Sequence, residues 1–109
     1  MAHRLEASEL LQDIVKRLVE GYSPQKVILY GSHARGNAGE DSDIDLLIIK
    51  DTEKPPAERW KEVKRLLRER GRRIAVSPLV YTNEEIAQRL AMRDFFITEI
   101  LEEGVVLYG

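Results

Sequence analysis

Asp43-Ile44-Asp45 runs without a break into Leu46-Leu47-Ile48-Ile49, so two carboxylates stand at the mouth of a segment that is otherwise wholly apolar. A short apolar run rich in branched side chains predicts a strand over 43–49. Side chains alternate across a strand, which puts Asp43 and Asp45 on one side with backbones roughly 6.6 Å apart. Two carboxylates so placed repel each other and resist desolvation. A divalent cation removes both penalties and keeps the pair ionised. Carboxylate ligands without histidine or cysteine favour Mg²⁺ or Mn²⁺ over zinc. The plainer reading, a solvated strand entrance after a turn, has to be weighed with what lies upstream.

Upstream, Lys26-Val27-Ile28-Leu29-Tyr30 reads as a buried strand that stops at Gly31-Ser32, and ten residues separate Ser32 from Asp43. Glycine at a strand end lets the backbone approach a ligand closely, and Ser32 offers a hydroxyl and an amide at the start of a short helix. Arg35 brings a fork of donors that can reach phosphate oxygens. Ser42 reads either as a strand-entry cap or as a further phosphate contact. Metal ligands on one strand and phosphate donors on its neighbour describe a site for a metal-chelated nucleoside triphosphate. His33 is adjacent, but a single histidine without a partner reads as an exposed loop residue rather than a base.

The rest of the chain supplies the frame. Apolar pairs Leu10/Leu11, Ile14/Val15 and Leu18/Val19 mark an amphipathic helix over 5–20, with Gly21 as its stop. Pro55-Pro56 opens a helix to about Arg70 with Trp60, Val63, Leu66 and Leu67 inward, and Gly71 closes it. Ile74 to Thr82 reads as a strand at a sheet edge, bulged or locally unpaired, because Pro78 cannot donate to a ladder. Asn83, followed by Glu84 and Glu85, reads as a helix cap. Helical segments around 86–90 and 95–101 follow, then Gly104 and a terminal strand. Phe95, Phe96 and that strand read as core, with a partner or dimer interface as the lesser alternative. The predicted fold is therefore mixed α/β, a small mixed sheet flanked by helices, in one domain over 1–109.

Composition narrows the function. A formal net charge of −2 makes no global case for nucleic-acid binding. The local basic run Lys61, Lys64, Arg65, Arg68, Arg70, Arg72 and Arg73 is interleaved with Glu58, Glu62 and Glu69, as on a salt-bridged outer face. The absence of cysteine excludes disulfides, thiolate nucleophiles and cysteine–zinc sites, and fits a cytoplasmic protein. No apolar stretch is long enough to span a bilayer, and no signal-peptide core follows Met1. At 109 residues the core is modest, so a protein partner or a second copy would add stability.

Gly31-Ser32-His33-Ala34-Arg35-Gly36, followed by Ser42-Asp43-Ile44-Asp45-Leu46, resembles the signature of the minimal nucleotidyltransferases, the smallest members of the DNA polymerase beta superfamily. The likeness extends to Pro55-Pro56-Ala57-Glu58-Arg59, to Val80-Tyr81-Thr82, and to the ending Glu103 to Tyr108. It implies that superfamily's fold and the transfer of a nucleotidyl group, usually AMP from ATP, to a hydroxyl, with pyrophosphate leaving. It implies Mg²⁺ held by Asp43 and Asp45, with Gly31, Ser32, Arg35 and Ser42 around the nucleotide. It also implies a small helical HEPN protein as partner, often as toxin to an antitoxin. The chain departs from the family at Ser77, which stands where a third carboxylate on the next strand is expected. That departure supports an alternative, a catalytically weakened module that binds nucleotide and partner.

Overall fold

The computed structural model describes residues 2–39, 42–68 and 75–109, with 2–8 described by backbone alone. In chain order the elements are α1 (Ala2–Tyr22), β1 (Lys26–Tyr30), α2 (Ser32–Arg35), β2 (Ile44–Ile49), α3 (Pro56–Leu66), β3 (Val76–Tyr81), α4 (Asn83–Ala91), α5 (Phe95–Glu103) and β4 (Val105–Tyr108). The strands form one sheet in the order β3-β2-β1-β4. β1 is antiparallel to both β2 and β4, and β2 and β3 are parallel. Parallel neighbours need a long crossover, and α3 is carried within it.

Alternation along the strands divides the core in two. Val27, Leu29, Ile44, Leu46 and Ile48 face α1 and α3, where they meet Ile14, Leu18, Tyr22 and Val63. Ile28, Leu47 and Ile49 face α4 and α5, where they meet Ile86, Ile97 and Ile100. Strand β2 is buried on both faces for this reason, which is what its unbroken apolar run requires. Asp45 belongs by parity to the α4/α5 face, one step before Leu47.

Several expectations are corrected. Gly21 does not stop α1, which runs to Tyr22 and ends where Ser23 adopts a left-handed conformation (φ 54°). A Cβ at Gly21 would lie 2.6 Å from a methyl of Leu66, so this glycine lets α1 approach α3 closely. The cap of α4 is Thr82, not Asn83: the Thr82 hydroxyl accepts from the Glu85 amide while the Glu85 carboxylate accepts from the Thr82 amide. Asn83 instead hydrogen-bonds Asp51 and Gln25. Trp60 is 48% exposed rather than core, since α3 turns Arg59 and Val63 inward. Phe95 is 83% exposed, and Phe96 and most of β4 are also exposed, so they do not form core.

Pro78 sits in β3 opposite Leu46, at the sheet edge where its missing N–H is tolerated. Helix α3 ends at Leu66, short of the end expected near Arg70 and Gly71, because Leu67 already leaves the helical region (φ −91°, ψ 0°). Arg70, Arg72 and Arg73 of the basic run lie outside the described residues. Within them, Lys54 pairs with Glu62, and Lys64 donates to the Val76 carbonyl at 3.0 Å.

The buried Arg59, 5% exposed, ties the crossover to the sheet. Its guanidinium donates to the Lys54 carbonyl at 2.7 Å, to the Val80 carbonyl at 3.3 Å, and to the Glu85 carboxylate at 2.6 Å. Burial pushes the Glu85 carboxyl up, but hydrogen bonds from Arg59 and Thr82 outweigh it and hold the group below its usual range. A buried charge requires such a set of partners.

Candidate active site

The corner predicted from sequence is assembled where β1 ends and β2 begins. In the antiparallel register Tyr30 pairs with Asp45, so Gly31 emerges beside the Asp45 carboxylate. Gly31 has φ 77° and ψ −156°, a region open essentially to glycine alone. A Cβ there would lie 2.5 Å from Asp45 Oδ2. Glycine is thus required by its backbone conformation, and any Cβ there would make the Asp45 carboxylate turn away.

Ser32 to Arg35 form a single turn, α2, closed by Gly36 in the left-handed conformation. So short a helix has little macrodipole; it places Ser32 immediately after the Gly31 bend, at the end of β1. The His33 ring is bonded to the Ser42 carbonyl at 2.9 Å, which ties α2 to the approach of β2. The Ser42 hydroxyl accepts from the Gly39 amide at 3.0 Å, as in the strand-entry cap.

Asp43 is exposed and Asp45 half-buried. The Asp45 carboxyl is pushed up first by burial and then by the Asp43 charge, while His33 and Arg35 pull it the other way. The corner therefore holds negative charge it does not neutralise on its own. Across the parallel pair, Asp45 stands in register with Ser77, which is exposed and on the same face. Among the described residues, no three His, Asp or Glu side chains are grouped as a metal cluster.

Two features escape sequence reading. An open cleft beside Gly31 has Tyr30 and Arg35 on one wall and Phe96, Glu99 and Glu103 of α5 on the other. Phe96 meets the Tyr30 ring edge-on, with centroids 5.6 Å apart at 84°. The Tyr30 phenol is pushed up to about 12 by burial, then by the charge of Asp45 and by Tyr81, so it stays protonated and able to donate. Only strand parity and register reveal that Tyr30 belongs with Asp45. Nothing in local composition marks α5 as a wall of the cleft.

No described helix is long and apolar enough to cross a membrane. The nucleotidyltransferase domain family matches residues 9–107. A Methanocaldococcus jannaschii protein named "Putative protein adenylyltransferase" is 30% identical over 106 residues, covering 95% of this chain and 100% of that protein. A second so named from the same organism is 40% identical over 43 residues, 39% of this chain and 50% of its own length. Among solved structures, "a putative nucleotidyltransferase from Sulfolobus solfataricus" superposes with a TM-score of 0.56 at 26% identity, over 73% of this chain and 70% of that one. Both the match along the chain and the superposed fold lead to one assignment: the protein belongs to the nucleotidyltransferase domain family, at the size of its minimal members.

Proposed function

We propose that the chain binds a Mg²⁺-chelated ATP at the Gly31–Asp45 corner and transfers AMP to a hydroxyl of a protein acceptor. The observation that carries this is the Asp45 carboxylate, packed against Gly31 in its positive-φ bend and raised in pKa by burial and by Asp43. Asp43 and Asp45 would hold the metal; one or two carboxylates with substrate phosphates are a sufficient protein contribution for Mg²⁺. The ion would screen their mutual repulsion and the charge of the triphosphate. Ser32 and Arg35 orient the phosphates, and the exposed face at Asp43 leaves room for the acceptor. The acceptor oxygen bonds to the α-phosphorus, the bond from that phosphorus to pyrophosphate breaks, and the hydroxyl proton leaves to solvent. A protein acceptor agrees with the names of the relatives, and the resemblance points to a HEPN-type partner.

The register of Asp45 with Ser77 favours a second reading, a nucleotide- and partner-binding module with slow chemistry. Serine supplies no charge to activate the acceptor hydroxyl. Incubation with α-labelled ATP, Mg²⁺ and a HEPN acceptor separates the readings. Label on the acceptor that disappears in Asp43→Asn supports transfer. Tight nucleotide binding without label at any Mg²⁺ or Mn²⁺ concentration supports the module.

A further inference from the structure

We propose that the elbow between α4 and α5 is the docking surface for the acceptor protein, and that it receives an apolar segment flanked by lysine or arginine. This deepens the reading above and rests on its protein acceptor.

Met92 is 73% exposed and Phe95 83%, with Leu90 and Phe96 each a little under half exposed. Exposed apolar side chains gathered around one turn mark interaction surfaces, and methionine and aromatics are the types enriched there. The turn that presents them is fixed. Arg93 adopts φ 57°, and the amides of Met92, Arg93 and Asp94 are bonded back to Gln88, Leu90 and Arg89. The Asp94 carboxylate caps α5 through the amides of Phe96 and Ile97 at 3.0 and 3.2 Å, and Thr98 Oγ1 donates to its carbonyl. Aromatic side chains on so well tied a turn lose little freedom when a partner lands on them.

Position connects the elbow to the chemistry. Phe96 touches Tyr30, and Tyr30 is the cross-strand partner of Asp45. A protein resting on Phe95 and Met92 therefore lies along the wall of the cleft that leads to the carboxylate corner.

Charge identifies the occupant. Ile97 and Ile100 face the sheet, so Phe95, Glu99 and Glu102, at helical spacing i, i+4, i+7, form an outward stripe. Helix α5 carries no Lys or Arg, and Glu99, Glu102 and Glu103 make no ion pair among the described residues. Arg89 pairs with Asp94 and Arg93 stands in the turn, so the three glutamates of α5 still leave this surface net acidic. An acidic stripe beside an aromatic anchor selects an apolar segment with basic flanks and repels nucleic acid or an anionic membrane.

The test uses the full chain and labelled 18-residue helical peptides with one leucine stripe, flanked by lysines in one peptide and by glutamates in the other. Fluorescence anisotropy is expected to show binding of the lysine peptide only. Met92→Ser/Phe95→Ser should weaken it at least tenfold while Mg-ATP affinity and melting temperature stay unchanged, and Glu102→Lys should weaken it several-fold. Equal binding of both peptides, or binding indifferent to the double substitution, overturns the proposal. So does a dimer in sedimentation that the double substitution dissociates, because the occupant is then a second copy. Failure of the wild type to bind Mg-ATP, with peptide selectivity intact, would defeat the reading of the active site and leave the docking surface standing.

Discussion

Asp45 and Ser77 are in-register partners across the parallel pair β2–β3, their side chains on the same sheet face. A residue at position 77 is therefore the strand neighbour best placed to share a ligand with Asp45, and a hydroxyl there adds no negative charge. Ser77→Asp is expected to raise the rate of AMP transfer about tenfold or more, equivalent to about 1.4 kcal/mol of barrier. Single-turnover kinetics with saturating Mg-ATP reads this; an unchanged or lower rate would show that position 77 takes no part. Ser77 is exposed, so the new carboxylate stays hydrated, and saturating Mg-ATP offsets its repulsion with Asp45.

Gly31→Ala tests the corner itself. The φ of 77° and the Asp45 oxygen at the Cβ position act together, and the backbone conformation alone costs about 1–3 kcal/mol for a non-glycine residue. Chemical denaturation should show a loss of that order, and Mg-ATP affinity should fall at least tenfold as the carboxylate is displaced. Retention of both would mean that the Asp45 carboxylate does not pack against Gly31.

Without metal, Asp45 is a destabilising group at neutral pH. Its carboxyl is raised in the fold, so the native state binds more protons than the unfolded chain between the ordinary aspartate value and the raised one. Stability contributed by the protonated form is present below that window and is lost as pH rises through it. Asp45→Asn should therefore melt a few degrees above wild type at neutral pH in the absence of metal, with the difference vanishing in acid. Melting curves from mildly acidic to neutral pH check the sign; a wild type that stays ahead of the variant at neutral pH contradicts it.

Glu85 behaves oppositely. Its carboxyl is held low by Arg59 and Thr82 against the effect of burial, so its stabilisation is present above the ordinary glutamate range and is lost as pH falls through the depressed value. Glu85→Ala leaves the buried Arg59 guanidinium with carbonyl partners only and removes the capping box, at a cost of about 3 kcal/mol. Glu85→Gln should flatten the acid limb of the stability profile. An acid limb as steep as in wild type would show that another group sets it.

What was legible from sequence follows from which forces are local. The strand at 26–30, the strand at 44–49 (expected from 43, with Asp43 standing just before it) and the helix opened by Pro55-Pro56 were readable because apolar period and proline chemistry act over a few residues. That the Gly31-Ser32 bend and the Asp45 strand would be neighbours was readable as an expectation from the pairing of the two motifs, but the register that sets Gly31 beside Asp45 was not. What could not be read is what depends on contacts between elements. Gly21 carries the same local signal as a helix stop, and only the approach of Leu66 shows that it is a crossing point. Phe95 and Phe96 look like core by hydrophobicity, yet α5 spends its inward face on Ile97 and Ile100. Arg59, placed in a basic helix, is the buried hub because Glu85, distant in sequence, arrives beside it.

The central claim is that the Asp43/Asp45 corner holds a metal-chelated triphosphate. Calorimetric titration of ATP into the full chain tests it without knowledge of the acceptor. Binding that requires Mg²⁺ and is lost in both Asp43→Asn and Asp45→Asn is the predicted result. Binding equally strong without divalent metal, or unaltered in the two variants, would contradict the account.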